Sequence, residues 1–450
     1  MTLVRNLRQQ LSGNKKYLFF LFIFSLIICQ SCFTRQFSKE QLDLQYEYSR
    51  KQKEDSGQTK QFEKPDSVQV ITSTDSVITD SLDMIYPVII KPNYKIAYIL
   101  PLYLDEIYDE EFKQKRISKV SQDYFMGARL ALEDSVPKLG LNLHVQVYDN
   151  YSSYDSTVQS ILYLIDNDSF DLIVGPFLSN HMSVFSSYSQ EQKIPILSPF
   201  CIQEEFLENP YFISYRPTHK THLEKSAQII ASQFKKYHIM VLSTKKTELD
   251  YIKDKLLENS DSTTFKSMNF MVVDESNWRN AEYLKYLAKD SNLLYVPSNN
   301  VIVINSIVTN LVGEIDFEDK DQKSKISILA PYAWLKKEAI QISMLDRLNA
   351  YFTSDPILDY SDSASIEFVK SYREKFKTEP GTYAWMGYQG VLFYAPLMLQ
   401  YGRFFQRALV KNESGMDGNT YIQRQEDYGF EESTIWLFRF EEQQLIRLNY

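Results

Sequence analysis

The feature that most limits what this chain can fold into is an alternation that starts at Tyr94 and runs to Leu329. Short apolar runs recur, each followed by a stretch of helical composition. Lys95-Ile96-Ala97-Tyr98-Ile99-Leu100 is closed by Pro101, and 124–134 is helical in composition and stops near Pro137. Over 141–148, Leu141, Leu143, Val145 and Val147 alternate against Asn142, His144 and Gln146. Helix is expected over 156–165 and 179–192, strand over 171–175 and 194–197. Strands separated by helices of 10–15 residues imply parallel pairing, with both sheet faces covered by the crossover helices. The pattern resumes after Arg216. Helices are expected over 222–234, 248–257, 278–288 and 301–312, and strands over 239–242, 270–273, 293–296 and 326–329. That is enough for a second α/β sheet. Longer helices are expected over 363–376 and 383–405, a hairpin over 434–448, and a solvated acidic loop over 314–321.

Composition removes several function classes. Only 13 of 450 residues are glycine, under half the usual ~7%. No two are spaced G-x-G and none precedes lysine, so dinucleotide and phosphate-loop fingerprints are both missing. The net charge of −9 argues against nucleic acid as a partner. His219 and His222 have an i,i+3 spacing but no evident third ligand, so no metal is expected. Cys201 has no His/Asn arrangement around it, no carboxylate pair stands out, and no cofactor is implied. The chain reads as non-enzymatic.

The N-terminus carries an export pattern. Arg5, Arg8, Lys15 and Lys16 precede the apolar run 17–29, which is short for a ~20-residue membrane span. It ends Cys29-Gln30-Ser31-Cys32, which resembles a bacterial lipoprotein signal cleaved before the cysteine that is lipidated. Residues 1–31 are then a signal peptide, Cys32 the anchor, and 32–92 a polar, flexible tether with too few apolar residues to fold. Acyl chains on Cys32 would bind it to a membrane at ~0.8 kcal/mol per buried methylene. Phe33, in place of an acidic residue, favours the outer membrane of a bacterial envelope.

Several phrases, in order, resemble the type I periplasmic binding protein fold of the branched-chain amino acid receptor superfamily. They are Ile96-Ala97-Tyr98-Ile99-Leu100-Pro101-Leu102, Tyr124-Phe125-Met126-Gly127-Ala128-Arg129-Leu130-Ala131, Leu172-Ile173-Val174-Gly175-Pro176, Ile194-Pro195-Ile196-Leu197-Ser198-Pro199 and Phe212-Ile213-Ser214-Tyr215-Arg216. The resemblance implies two lobes, each a parallel sheet flanked by helices, with three crossovers and a central cleft. Lobe one would hold 93–216 and 353–410, and lobe two 217–352 and 411–450.

In such relatives a hydroxyl at the start of the helix after the Gly-Pro strand grips a ligand carboxylate. Ser179, with Asn180 beside it, matches that position, where helix N–H groups favour an anion. Ser is also a preferred cap, so Ser179 is equally expected to cap its own helix. Ser198 lies in the next site loop, but Phe200 and Ile202 stand where relatives carry small and hydroxyl residues. Tyr103, Tyr332 and Trp334 follow strands and are placed to line the cleft. Two functions follow. One is a lipid-anchored receptor for a small polar ligand, amino acid or peptide-like, with a transporter as partner. The other is an envelope scaffold or regulator of peptidoglycan synthesis, similar to the lipoproteins that activate peptidoglycan synthases.

Overall fold

The computed structural model describes residues 86–104, 116–150, 155–273, 281–314, 325–360, 362–410, 418–425, 427–442 and 444–449. The expected signal peptide, Cys32 and the tether through residue 85 lie outside them, as does most of the acidic loop 314–321. Five strands come first: β1 (Tyr94–Leu100), β2 (Leu143–Asp149), β3 (Leu172–Val174), β4 (Ile196–Ser198) and β5 (Phe212–Ser214). Between them run α1 (Arg116–Asp134), α2 (Asp155–Asp168) and α3 (Ser179–Gln192). Helix α4 (His219–Gln233) leads into β6 (His238–Ser243), α5 (Lys246–Asn259), β7 (Asn269–Val272), β8 (Asn292–Tyr295), α6 (Val301–Gly313), β9 (Ile326–Pro331) and β10 (Ala350–Ser354). Helices α7 (Ser363–Phe376) and α8 (Thr382–Tyr401) precede β11 (Tyr421–Gln423), β12 (Phe430–Glu432), β13 (Trp436–Glu441) and β14 (Gln444–Leu448).

These strands form two seven-stranded sheets, ordered β11-β12-β5-β4-β3-β1-β2 and β14-β13-β10-β9-β8-β6-β7. Pairing is parallel through β12-β5-β4-β3-β1-β2 and through β10-β9-β8-β6-β7. Only β11 and the β13–β14 hairpin run antiparallel to their neighbours. The two-lobed α/β architecture expected from the alternation is the one observed.

Each sheet is buried on both faces because successive side chains of a strand point to opposite sides. In β1, Ile96, Tyr98 and Leu100 meet Tyr124, Ala128 and Ala131 of α1 and Val391, Tyr394 and Met398 of α8. Ala97 and Ile99 face the other way, onto Ile161 and Ile165 of α2 and Met182 and Phe185 of α3. In the second sheet Met240, Leu294 and Ile328 pack on Ile304, Ile307 and Leu311 of α6. Ile239, Leu293 and Leu329 pack on Leu223, Ala227 and Ile230 of α4 and Ile252 and Leu256 of α5.

Four expectations need correction. The segment 411–450 does not all join lobe two: β11 and β12 add to the first sheet, where Phe430 pairs with Ile213. Unlike the equally short but apolar β3 and β4, these strands carry Gln423, Glu431 and Glu432 and show no apolar run. The boundary at 353 falls inside β10. The tether also ends earlier than 92. Tyr86 is buried against Tyr211 and Phe430, and its hydroxyl donates to the Pro210 carbonyl at 2.9 Å. Farther along this strap, Ile89 bridges Gly402, whose φ of +74° and close approach to the Ile89 carbonyl leave no room for a Cβ. Lys91 Nζ reaches Asp171 Oδ1 at 2.5 Å. In the expected helix 278–288, the described part holds a single 3-10 turn, Glu282–Tyr286.

The crossovers orient the sheets. The first leaves the C-terminal end of β5 and enters α4, which returns antiparallel to β6, so its start lies at the C-terminal end of β6. The second leaves the C-terminal end of β10. The third joins the end of β12, parallel to β5, to the start of β13, antiparallel to β10. Both sheets therefore turn their strand C-terminal ends toward the junction, the usual place for a ligand in an open α/β sheet.

Candidate functional site

On the lobe-one side, the loop after β1 is pinned by a carboxylate. Asp149 Oδ1 accepts from the Leu102 and Tyr103 amides at 2.8 and 3.2 Å, and Oδ2 from Leu104 N at 2.8 Å. These bonds hold Tyr103 at φ 60°, a left-handed conformation costing on the order of 1–3 kcal/mol in a non-glycine residue.

Ser179 does not cap its helix. The N-cap position of α3 is Leu178, with no side-chain cap bond, and Ser179 is the first helical residue. Its Oγ accepts from Gln203 Nε2 at 2.6 Å. Asn180 is exposed beside it. Ser198 is fully buried, and its hydroxyl donates to the Cys201 carbonyl and accepts from the Cys201 amide, both at 3.0 Å. It closes the turn rather than facing the cleft. Burial pushes the Cys201 thiol up to about 11 against opposing hydrogen bonds from Ser179 and Ser198, which makes it a packing group rather than a nucleophile. Phe200 lies against Phe177, with centroids 4.3 Å apart, and against Tyr383 at 5.6 Å. An aromatic wall thus fills the space that a small residue would leave open.

The lobe-two side carries Tyr332, half-buried after β9, with Lys336 Nζ 5.2 Å from its ring centroid. Trp334 does not line the cleft. It is fully buried in the second core and donates through Nε1 to the Ser298 carbonyl at 2.8 Å. After β6, Ser243 Oγ donates to Glu248 Oε1 at 2.6 Å, and His219 Nε2 lies 2.7 Å from Glu248 Oε2. The carboxylate stands between serine and histidine, so the imidazole does not contact the hydroxyl in the order a Ser-His-Asp triad uses.

The strongest electrostatic feature was missed by the sequence reading. Arg216, just after β5, donates from Nε to Oδ2 of Asp355, just after β10, at 2.6 Å. The side chains remain 33% and 19% exposed, so water still reaches both. Asp355 raises the Arg216 pKa further. Burial would raise the Asp355 carboxyl, but Arg216 and His222 hold it below the usual range. Burial lowers the Lys336 ammonium, with Arg216 pushing the same way and Asp355 opposing. A signal was present: Arg216-Pro217 and Asp355-Pro356 place opposite charges before prolines at the ends of two strands, and residues before proline are held extended.

His222 belongs to this cluster. Burial, with Arg216 and His219 adding to it and Asp355 opposing, lowers it from 6.5 to about 4. The folded state thus prefers neutral imidazole, and this stabilisation is complete above 6.5 and lost as pH falls toward 4. It is worth at most about 3 kcal/mol. The lowered Asp355 loses stability in the same direction, at more acid pH. Urea midpoints are expected to fall between pH 6.5 and 4, and His222→Gln to flatten that slope. An unchanged slope would remove His222 from the account.

The geometry agrees with the comparisons. The model of the receptor family ligand binding region matches residues 127–280. A Rhodospirillum rubrum protein named as a branched-chain amino acid ABC transporter superposes with a TM-score of 0.58 at 13% identity, covering 79% of this chain and 100% of that one. The periplasmic ligand-binding protein of a branched-chain amino acid ABC transporter from Burkholderia xenovorans gives 0.54 at 12% identity, covering 79% and 94%. An ABC transporter substrate-binding protein from Desulfitobacterium hafniense gives 0.52 at 13% identity, covering 79% and 100%. No curated protein matches the chain. At these identities the likeness is one of fold, and the chain has the type I periplasmic binding protein fold.

Proposed function

We propose that this protein is a non-enzymatic, lipid-anchored receptor of the bacterial envelope that holds a small zwitterion, amino acid or peptide-like, between its lobes. The Arg216–Asp355 pair supports this reading. It offers both charges at the junction of the two sheets, still open to water. A ligand carboxylate would pair with Arg216 and its ammonium with Asp355, with Tyr332 and Phe200 on opposite sides. Contacts to both lobes would then shift the open–closed equilibrium. Thermal-shift screening of amino acids and short peptides, followed by calorimetry, tests it. Arg216→Gln removes a charged hydrogen bond and is expected to weaken a hit by roughly one to two orders of magnitude.

A second reading is favoured by the filled lobe-one side, where Phe200 packs between Phe177 and Tyr383 and the Ser198 hydroxyl is used internally. In that reading the same fold is an envelope scaffold, for instance a regulator of peptidoglycan synthesis. If no compound stabilises the wild type while a peptidoglycan synthase co-purifies with it and with Arg216→Gln alike, the scaffold stands and the receptor falls.

The anchor is tested separately. Cys32→Ala is expected to release the protein from membranes or leave it unprocessed. Unchanged fractionation and mature mass would refute lipid attachment at Cys32.

A further inference from the structure

Away from the cleft, a cavity of about 570 Å³ opens between α4 and the chain leading into the third crossover. That volume is typical of small-molecule sites, which span roughly 300–1,000 Å³. Lys225, Gln228, Ser232 and Lys235 line one side, spaced so that they share a face of α4 and its C-terminal extension. Thr420 and Thr434 line the other, and Ile229 and Ile435 add an apolar floor.

Part of the polar lining is already bonded: Ser232 Oγ donates to the Ile229 carbonyl at 3.2 Å, Ser433 Oγ to the Thr420 carbonyl at 3.0 Å and Asn259 Nδ2 to the Lys255 carbonyl at 2.7 Å. Neither Lys225 nor Lys235 forms an ion pair or side-chain hydrogen bond among the described residues, and the Gln228 amide has no partner there either. Thr434 Oγ1 accepts from the Thr420 amide at 3.0 Å, which leaves its own proton to donate. No carboxylate lines the cavity. The neighbouring Glu224 is committed to Arg424 at 3.1 Å and to the Tyr251 hydroxyl at 3.3 Å. In a chain with 58 acidic and 49 basic residues, two uncommitted ammonium groups facing hydroxyl and amide donors form a local excess of positive charge. Lys225, Gln228 and Thr434 are half-buried while Lys235 and Thr420 stand at the exposed mouth, and ammonium groups beside donors with no carboxylate at hand suit an anion.

We infer that this cavity is a second ligand site, distinct from the cleft, which takes a small carboxylate or phosphate carried on a partly apolar body. Its walls belong to α4 in lobe two and to the crossover from β12 to β13 itself, at Ser433, Thr434 and Ile435. An occupant therefore ties lobe two to the hinge and biases the relative position of the lobes. The inference stands independently of the cleft reading.

The test uses the full chain in detergent, titrated with inorganic phosphate and with succinate against sodium chloride at matched ionic strength, followed by thermal shift and calorimetry. At least one of the two anions is expected to give a saturable stabilisation. The double variant Lys225→Gln/Lys235→Gln is expected to bind it at least about tenfold more weakly, the loss of one charge-assisted hydrogen bond. Lys225 is half-buried on α4 and Lys235 exposed in the turn just beyond it, and neither is bonded, so the variant is expected to keep the wild-type melting temperature without added anion. Arg216→Gln is included to separate the two sites and is expected to keep the anion response. No saturable effect of either anion overturns the site, as does a response that survives unchanged in the lysine variant. A response lost in Arg216→Gln instead would place the anion in the cleft and overturn it equally.

Discussion

Gly127→Ala is expected to be the most damaging single-methyl change in lobe one. Helices α1 and α8 cross with their backbones almost touching, and two glycines make that approach possible. A Cβ on Gly127 would stand 1.7 Å from the Ala384 carbonyl oxygen, and one on Gly387 would stand 1.9 Å from that of Tyr124. The obstacles are backbone atoms, so no rotamer change relieves them. The helices would have to separate, opening the packing of Tyr98, Tyr124 and Tyr394 between them. Overpacking commonly costs 1–3 kcal/mol, and with rigid backbone on both sides we expect about 3 kcal/mol or more. Gly313→Ala is the control: nothing lies within 4 Å of its Cβ position, and it should be neutral or slightly stabilising. Chemical denaturation of both variants decides the matter, and equal midpoints would remove the close crossing from the account.

Arg424→Met is expected to cost about 3–5 kcal/mol, the range for stranding a buried charge. Glu431 is fully buried, and its Oε1 accepts from Arg424 Nε at 2.6 Å. Its Oε2 accepts from the Thr218 amide at 2.9 Å. Arg424 also reaches Glu224 and the Thr221 hydroxyl of α4. One guanidinium thus joins the hairpin that returns to lobe one to the first helix of lobe two. The pair Arg424→Met with Glu431→Gln should lose less than the sum of the two single changes, because the stranded charge goes with its partner. A loss below about 1 kcal/mol for Arg424→Met would mark the network as no more than a surface ion pair.

Much of the architecture was legible because it rests on period. Strands such as β1 and β6 are apolar runs of six or seven residues, and helices of 13 to 20 residues carry their own apolar stripes. The strap at Tyr86 and the strands β11 and β12 were not legible, because they lack the apolar run that marks the equally short β3 and β4 and their burial depends on distant partners. The site divides in the same way. Tyr103 and Tyr332 were placed by the strands they follow, and Ser179 by resemblance to the helix start after the relatives' Gly-Pro strand. The Arg216–Asp355 pair joins residues 139 apart in sequence, and only the meeting of two crossovers brings them together. Whether a hydroxyl faces outward is equally non-local: Ser198 looked available, but its partner is the backbone three residues on.

The strap from Tyr86 to Asn93 has a mechanical consequence. Its attachments, at Pro210, Gly402 and Asp171, all lie in lobe one. They sit near the N-terminal ends of the strands, the pole opposite the crossovers. A pull arriving from the N-terminal side is therefore borne by one rigid half through a buried aromatic ring, a backbone bridge and an ion pair in series. It does not travel through the three connecting segments. The second half hangs outside the line of force, and its swing is not stiffened by tension on the chain.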